Sequence, residues 1–219
     1  MPQRRLRLVL ARSAAGLAGQ FPQRGAPLTT GPETGASAKR ELRRALRARR
    51  AARPATEVAA AGAALAAHAG ALGPGPIAAF VGIRGEPPTL PLLAALCARG
   101  VRVLLPVLLE DMDLEWADYD GAPDGLVEGL RGVLHPGGPS LGLAGITAAA
   151  LVLAPALAVD SHGRRLGQGG GSYDRALART AAPVLAVVFD DELLERVPAE
   201  AHDRPVGGTL TPAGGVRAF

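Results

Sequence analysis

The sequence predicts an α/β fold: a mostly parallel central sheet flanked by helices on both faces, a Rossmann-like three-layer arrangement in a single domain. Three observations lead there. Continuous aliphatic runs at 76–83, 101–107, 149–157 and 184–189 have the length and make-up of strands buried on both faces. Helical patterns at 90–99 and 173–179 separate them, giving the alternation of a parallel sheet. A glycine-rich loop, Gly167-Gln168-Gly169-Gly170-Gly171, stands between a strand and a helix. Without Cβ atoms, its backbone N–H groups can turn toward an anion.

With 219 residues, 48% hydrophobic and 20% charged, the chain can bury one real core. Aromatics are 3%, so that core must be aliphatic. The single cysteine, Cys97, excludes an internal disulfide and a cysteine-rich metal site; it reads as a small buried hydrophobe. No run approaches the roughly 18 apolar residues that cross a bilayer. A soluble cytoplasmic protein with no membrane partner is expected. Charge is unevenly spread: residues 1–53 carry 13 basic and 2 acidic side chains, a net of +11, and the remainder 11 and 18, a net of −7. The acidic body offers no basic, aromatic-studded surface, so no nucleic-acid partner is expected. Residues 1–37 read as a disordered basic extension and 38–219 as the domain.

Taken in order, Ser37 is placed to cap a helix over 38–52, where Leu42, Ala45, Leu46 and Arg49 follow helical spacing. Lys39 and Arg43 are i and i+4 and share a face. Lys39 is the only lysine among 24 basic residues, and an ammonium is a compact point charge where a guanidinium is a flat fork. A second, alanine-rich helix spans 56–68. The strand at 76–83 leads into Arg84-Gly85-Glu86, the helix at 90–99 stops at Gly100, and the strand at 101–107 follows. Alternation at 113–119 predicts an edge or antiparallel strand. Residues 120–146 are rich in glycine and proline and read as loop. The strand at 149–157 precedes Asp160 and the glycine loop, and the last strand expected, 184–189, precedes Asp190-Asp191-Glu192.

In an open α/β sheet, ligands bind beyond the carboxyl ends of the strands, where those three polar clusters fall. Arg165 before the loop and Asp174 after it are the parts of a site for polyphosphate and a divalent metal. The loop is not a Walker A loop, because no Lys-Ser or Lys-Thr follows it. It is not a dinucleotide fingerprint either, because Ser172 stands at the third glycine position. A tight turn without a ligand accounts equally well for such a loop taken alone. Ser172, His202 and Asp203 are no hydrolase triad, since Asp174 breaks Gly-x-Ser-x-Gly. His68, His135 and His162 lack metal-ligand spacing. Asp190-Asp191-Glu192 reads as a solvated helix start.

Three segments in order resemble the 5-formyltetrahydrofolate cyclo-ligase (5,10-methenyltetrahydrofolate synthetase) family. They are Lys39-Arg40-x-Leu42-Arg43; Phe80 through Glu86 to Thr89; and Pro155 through Asp160 and Gly163-x-Arg165-Leu166-Gly167-x-Gly169-x-Gly171-x-Tyr173-Asp174 to Val197-Pro198 and His202-Asp203. The resemblance covers about residues 38–212. It implies an ATP-dependent ring closure. The N5-formyl oxygen attacks the γ-phosphate of ATP, N10 attacks the activated carbon, and phosphate leaves, giving 5,10-methenyltetrahydrofolate, ADP and phosphate.

The resemblance also implies roles. Lys39 and Arg165 would be catalytic. Lys39, Arg43, Arg165, Leu166, Gly167, Gln168, Gly169, Gly170, Gly171, Ser172 and Tyr173 would bind ATP. Val81, Glu86, Gln168, Gly169, Gly170, Gly171 and Ser172 would bind the reduced folate, and Asp174 and Asp203 would hold Mg²⁺. Trp116 and Tyr119 are candidates for stacking on the pterin or aminobenzoyl ring, with core packing the favoured role for Trp116. Departures fall at Gln168 (usually arginine or tyrosine), Gly170 (often lysine), Ser172 (the first of two tyrosines) and His135-Pro136 (commonly Glu-Pro). A non-catalytic nucleotide- or folate-binding relative with an impaired folate pocket is the second reading. The expected state is a monomer or weak dimer.

Overall fold

A computed structural model describes residues 35–200 and 203–219. Helix α1 (Gly35–Ala51) and helix α2 (Ala55–Ala67) come first. Strand β1 (Ile77–Ala78), helix α3 (Leu90–Ala98) and strands β2 (Val103–Leu108) and β3 (Leu114–Tyr119) follow. A small hairpin, β4 (Leu126–Glu128) and β5 (Leu134–Pro136), precedes β6 (Leu151–Pro155), β7 (Ala158–Asp160) and β8 (Arg165–Leu166). The chain then forms α4 (Ser172–Leu177), β9 (Val184–Val187), β10 (Leu193–Leu194), β11 (Gly208–Thr211) and β12 (Gly215–Ala218).

The main sheet has seven strands in the order β12-β11-β9-β6-β1-β2-β3. Its five inner strands are mutually parallel, and the two edge strands, β3 and β12, pair antiparallel. On one face, Leu65 of α2 and Leu92, Leu93 and Leu96 of α3 pack on Ile77, Val103, Leu105, Leu153, Leu185 and Val187. On the other, Ala176 and Leu177 of α4 and Ile146 of a 3₁₀ turn cover Ala78, Leu104, Trp116 and Val152. The α/β three-layer expectation therefore holds, with an aliphatic core. Each fully buried leucine contributes roughly 1.5–3 kcal/mol relative to exposure.

Local chemistry explains the boundaries. Helix α3 ends because Gly100 takes φ +74°, Gly100 N–H donates to Cys97 C=O (2.8 Å) and Val101 N–H to Leu96 C=O (3.1 Å). That pairing is the Schellman termination, which satisfies carbonyls the helix leaves open. The strand expected at 76–83 leaves the ladder after Ala79. There Thr89 closes the following loop, donating through Oγ1 to Phe80 C=O (2.5 Å) and accepting from Gly82 N–H (2.9 Å). A Cβ on Gly82 would lie 2.1 Å from the Pro87 carbonyl oxygen, so only glycine permits this closure.

Several expectations change. Helix α1 starts at Gly35, which puts Ser37 inside it rather than at its cap. Residues 120–146, read as loop, contain the β4–β5 hairpin. The antiparallel β11–β12 hairpin was not foreseen, and neither was a second, three-stranded sheet, β10-β7-β8. Leu42 and Leu46 of α1 pack on that second sheet, against Leu157, Leu166 and Val197. Residues 1–34 of the expected extension and His202 lie outside the described residues. Among the described residues, no helix is long and apolar enough to cross a membrane.

Candidate active site

The second sheet carries the glycine loop. Asp160, 1% exposed, accepts N–H bonds from His162, Arg164 and Val197 and a side-chain bond from Arg164 (2.6 Å). Burial pushes its carboxyl up, but these bonds outweigh it and hold the group below the usual carboxylate range. Asp160 is thus a brace for the turn between β7 and β8. Beyond β8, Gly169 and Gly171 take φ +103° and +71°, a region L side chains avoid. Arg43 Nε donates to the Gly167 carbonyl (2.9 Å) and Arg47 Nη2 to that of Gln168 (2.8 Å). The carbonyls are therefore tied to α1. Among the described residues, no protein acceptor takes the N–H groups of 167–171.

These elements enclose a cavity of about 860 Å³ lying between the carboxyl end of the main sheet, α1 and the glycine loop. It is lined by Lys39, Arg43, Val81, Glu86, Asp174, Asp203 and every residue from Arg165 to Tyr173, so the structure brings all the expected site residues to one place. Lys39 is 5% exposed; its Nζ lies 2.6 Å from Asp203 Oδ2 and 3.4 Å from Glu200 Oε2. Arg165, also buried, donates from Nη2 to Asp174 Oδ1 (2.6 Å), and its Nε has no partner among the described residues. The deep end thus holds cations and carboxylates in contact, and each can exchange its partner for a ligand group.

The opposite wall is apolar: Phe80, Val81, Ile83, Pro106, Leu108, Met112, Leu114 and Val133. Glu86 lies beside it, half-buried, accepting from Ile83 N–H (3.2 Å) and Gln168 Nε2 (3.3 Å). Burial pushes its carboxyl up. A carboxyl raised on folding stabilises the fold least at high pH. The stability of the wild type relative to Glu86→Gln is therefore expected to fall as pH rises from the ordinary carboxylate range through the raised value. Thermal melts of both proteins across acidic to neutral pH check this. Tyr173 lines the same cavity; burial raises its phenol far above the usual range, so it stays protonated.

Two readings change, and the core role favoured for Trp116 holds. Trp116 is fully buried and makes an edge contact with Tyr173 (centroids 6.4 Å), and Tyr119 is 6% exposed. Neither lines the cavity, so neither stacks on a ligand there. The acidic run 190–192 is a solvated helix start only in part: it forms a 3₁₀ turn with Asp190 and Asp191 exposed, but its third acid is not solvated. Glu192 is fully buried and bound twice by Arg50 (2.7 Å each), while Asp190 accepts bonds from Thr211, Ala213 and Gly214. Sequence reasoning also missed Arg47, although Lys39, Arg43 and Arg47 recur at i, i+4 and i+8 on one helix face.

For a metal, Asp174 and Asp203 offer hard oxygen ligands. Among the described residues, no group of three or more His, Cys, Asp or Glu gathers at one point. The pair fits Mg²⁺, which takes one or two carboxylates and fills its octahedron with water and phosphate oxygens. It does not fit zinc, whose sites use three or four protein ligands.

Comparison with known proteins agrees with this geometry. The model of the 5-formyltetrahydrofolate cyclo-ligase family matches residues 35–212. A 5-formyltetrahydrofolate cyclo-ligase of Mycolicibacterium smegmatis is 43% identical over 150 residues, covering 65% of this chain and 76% of that protein. That of Escherichia coli K12 is 32% identical over 146 residues, covering 63% and 78%. Among solved structures, the 5,10-methenyltetrahydrofolate synthetase of Aquifex aeolicus superposes with a TM-score of 0.70 at 25% identity, covering 82% of this chain and 92% of that one. The Mycoplasma pneumoniae synthetase, at 17% identity and a TM-score of 0.61 over 78% and 96%, shares the fold. Motif order, cavity and extent of match converge: the chain belongs to the 5-formyltetrahydrofolate cyclo-ligase family.

Proposed function

We propose that this protein closes 5-formyltetrahydrofolate to 5,10-methenyltetrahydrofolate at the expense of ATP, releasing ADP and phosphate. The observation that carries the reading is the convergence in one cavity of a buried lysine, a glycine loop with unbonded N–H groups, and an apolar wall flanked by Glu86. An amide-like oxygen leaves poorly, and phosphorylation makes it displaceable. The formyl oxygen forms a bond to the γ-phosphorus as the bond to ADP breaks. N10 then bonds to the formyl carbon, phosphate departs with that oxygen, and N10 loses its proton.

Little covalent work falls to the protein, so positioning and charge stabilisation carry the rate. Lys39, Arg43 and Arg165 neutralise the phosphates, and the N–H groups of Gly167 to Gly171 hold the transferring group. Leu166, Gln168, Ser172 and Tyr173 complete the nucleotide side. Val81 and Glu86 orient the folate against the loop from Gln168 to Ser172. Holding two reactants in attack geometry is worth up to roughly 7–11 kcal/mol. Asp174 and Asp203 are the residues that would hold Mg²⁺, which screens phosphate charge when bound. This work belongs to residues 38–219, as a monomer or weak dimer in the cytoplasm.

Purified protein given 5-formyltetrahydrofolate, ATP and Mg²⁺ is expected to generate the absorbance of the methenyl product. Saturable ATP binding with no absorbance change would instead establish a non-catalytic relative, the outcome to which Ser172 in place of a tyrosine points. Asp174→Asn keeps an acceptor for Arg165 and for Arg204 N–H (3.2 Å) but removes a charge. It is expected to cut turnover at least tenfold, about 1.4 kcal/mol of barrier, with an unchanged circular dichroism spectrum. Wild-type turnover would remove Asp174 from the metal assignment.

A further inference from the structure

Among the described residues, three non-glycine residues have positive φ: Arg84 (50°), Met112 (68°) and Arg131 (57°). All three line the cavity. Two of them sit in matching turns. In the turn 83–86, Arg84 and Gly85 have φ +50° and +81°, and Glu86 N–H donates to Ile83 C=O (2.9 Å). In the turn 130–133, Arg131 and Gly132 have φ +57° and +74°, and Val133 N–H donates to Leu130 C=O (3.1 Å). Positive φ at both central positions marks a type I′ turn, whose first central position favours asparagine, aspartate or glycine. Arginine there is strained, and such strain collects where a side chain is needed for function.

The two turns come from distant parts of the chain and meet at the cavity. A Cβ built on Gly132 would lie 3.2 Å from Arg84 Nη2, so the Arg84 guanidinium rests over the second turn. Both arginines are exposed. Of the other cavity cations, Lys39 is engaged by Asp203, Arg43 by Gly167, Arg47 by Gln168 and Arg165 by Asp174, while exposed Arg40, on α1 and away from the apolar wall, makes no hydrogen bond or ion pair with a described residue. Arg84 and Arg131 form no ion pair or hydrogen bond with a described residue, Glu86 and Glu128 included. The cavity therefore has a phosphate end deep beside the glycine loop and, flanking its apolar wall, two unpaired guanidiniums.

We propose that Arg84 and Arg131 form a clamp for the carboxylates of the glutamyl tail of the reduced folate, making them specificity determinants for tailed substrates. This rests on the function proposed above. A folate's pterin and aminobenzoyl groups are uncharged, and its negative charge lies on the tail. Guanidiniums match carboxylates in a bidentate fork and stay charged at every working pH.

The double variant Arg84→Asn/Arg131→Asn tests this, because asparagine tolerates positive φ and keeps both turns. Steady-state kinetics are measured with 5-formyltetrahydrofolate triglutamate, with 5-formyltetrahydropteroyl methylamide, in which a neutral amide replaces the tail, and against ATP. With the triglutamate, the KM of the variant is expected to rise at least tenfold with kcat within twofold. The KM for ATP and the kinetics with the methylamide should match the wild type. An unchanged triglutamate KM, an equal loss with the methylamide, or a loss confined to ATP would each overturn the clamp. Failure of the wild-type protein to turn over either folate would instead refute the proposed function, and the clamp with it.

Discussion

Glu192→Ala is expected to lower the unfolding free energy by about 3–5 kcal/mol, the usual cost of leaving one partner of a buried ion pair uncompensated. Arg50 and Glu192 are 4% and 0% exposed, and two 2.7 Å bonds join them. Arg50 also donates to the Ala156 carbonyl (2.6 Å), and Glu192 accepts Phe189 N–H (2.9 Å). The pair therefore ties α1 to the ends of β6 and β9. Removing the carboxylate strands a guanidinium that has no route to water. For a chain of this size the loss corresponds to roughly 6–20 °C in Tm. Denaturant unfolding measures it directly. A change below about 0.5 kcal/mol would mean that α1 is not held by this pair. The double variant Arg50→Leu/Glu192→Leu should recover part of the loss, since replacing both partners leaves no bare charge.

Lys39→Met is expected to cut turnover at least tenfold and to weaken ATP binding in calorimetry, with the fold retained. Methionine matches the four-atom apolar stem of lysine without its ammonium, so α1 still packs through Leu42 and Leu46. What disappears is the ammonium beside Asp203 and Glu200, leaving carboxylates to face incoming phosphates. Lys39→Arg should not restore full activity: the position is 5% exposed, and a flat fork does not fill the place of a compact charge. Unaltered turnover and ATP affinity in the methionine variant would remove Lys39 from the phosphate-binding group.

Much of the fold can be read locally because its signals are local. Gly100 ends α3 through a backbone conformation that glycine alone takes easily, and the four aliphatic runs need both faces covered. The Lys39–Arg43 face, the glycine loop with Arg165 and Asp174, and the polar cluster ending at Glu86 were legible from residue type and position, while their individual roles came from the resemblance to the family. What stayed hidden depends on contacts distant in sequence. Strands of two or three residues, such as β8 and β10, show no periodicity, yet they form the sheet on which α1 rests. Gly208–Thr211 is too short to show a period, and its pairing with β9 and β12 is what makes it a strand. Acids early in a helical turn ordinarily face water, and only the arrival of Arg50 from 142 positions away buries Glu192. The twin arginine turns were equally invisible, because a positive φ at arginine contradicts local preference.

The chain contains one tryptophan, Trp116, buried on strand β3 and edge-on to Tyr173, which lines the cavity. Indole emission from this protein therefore reports on a single place, one aromatic ring away from where nucleotide and folate would settle. Titrations can be followed by intrinsic fluorescence without attaching a dye.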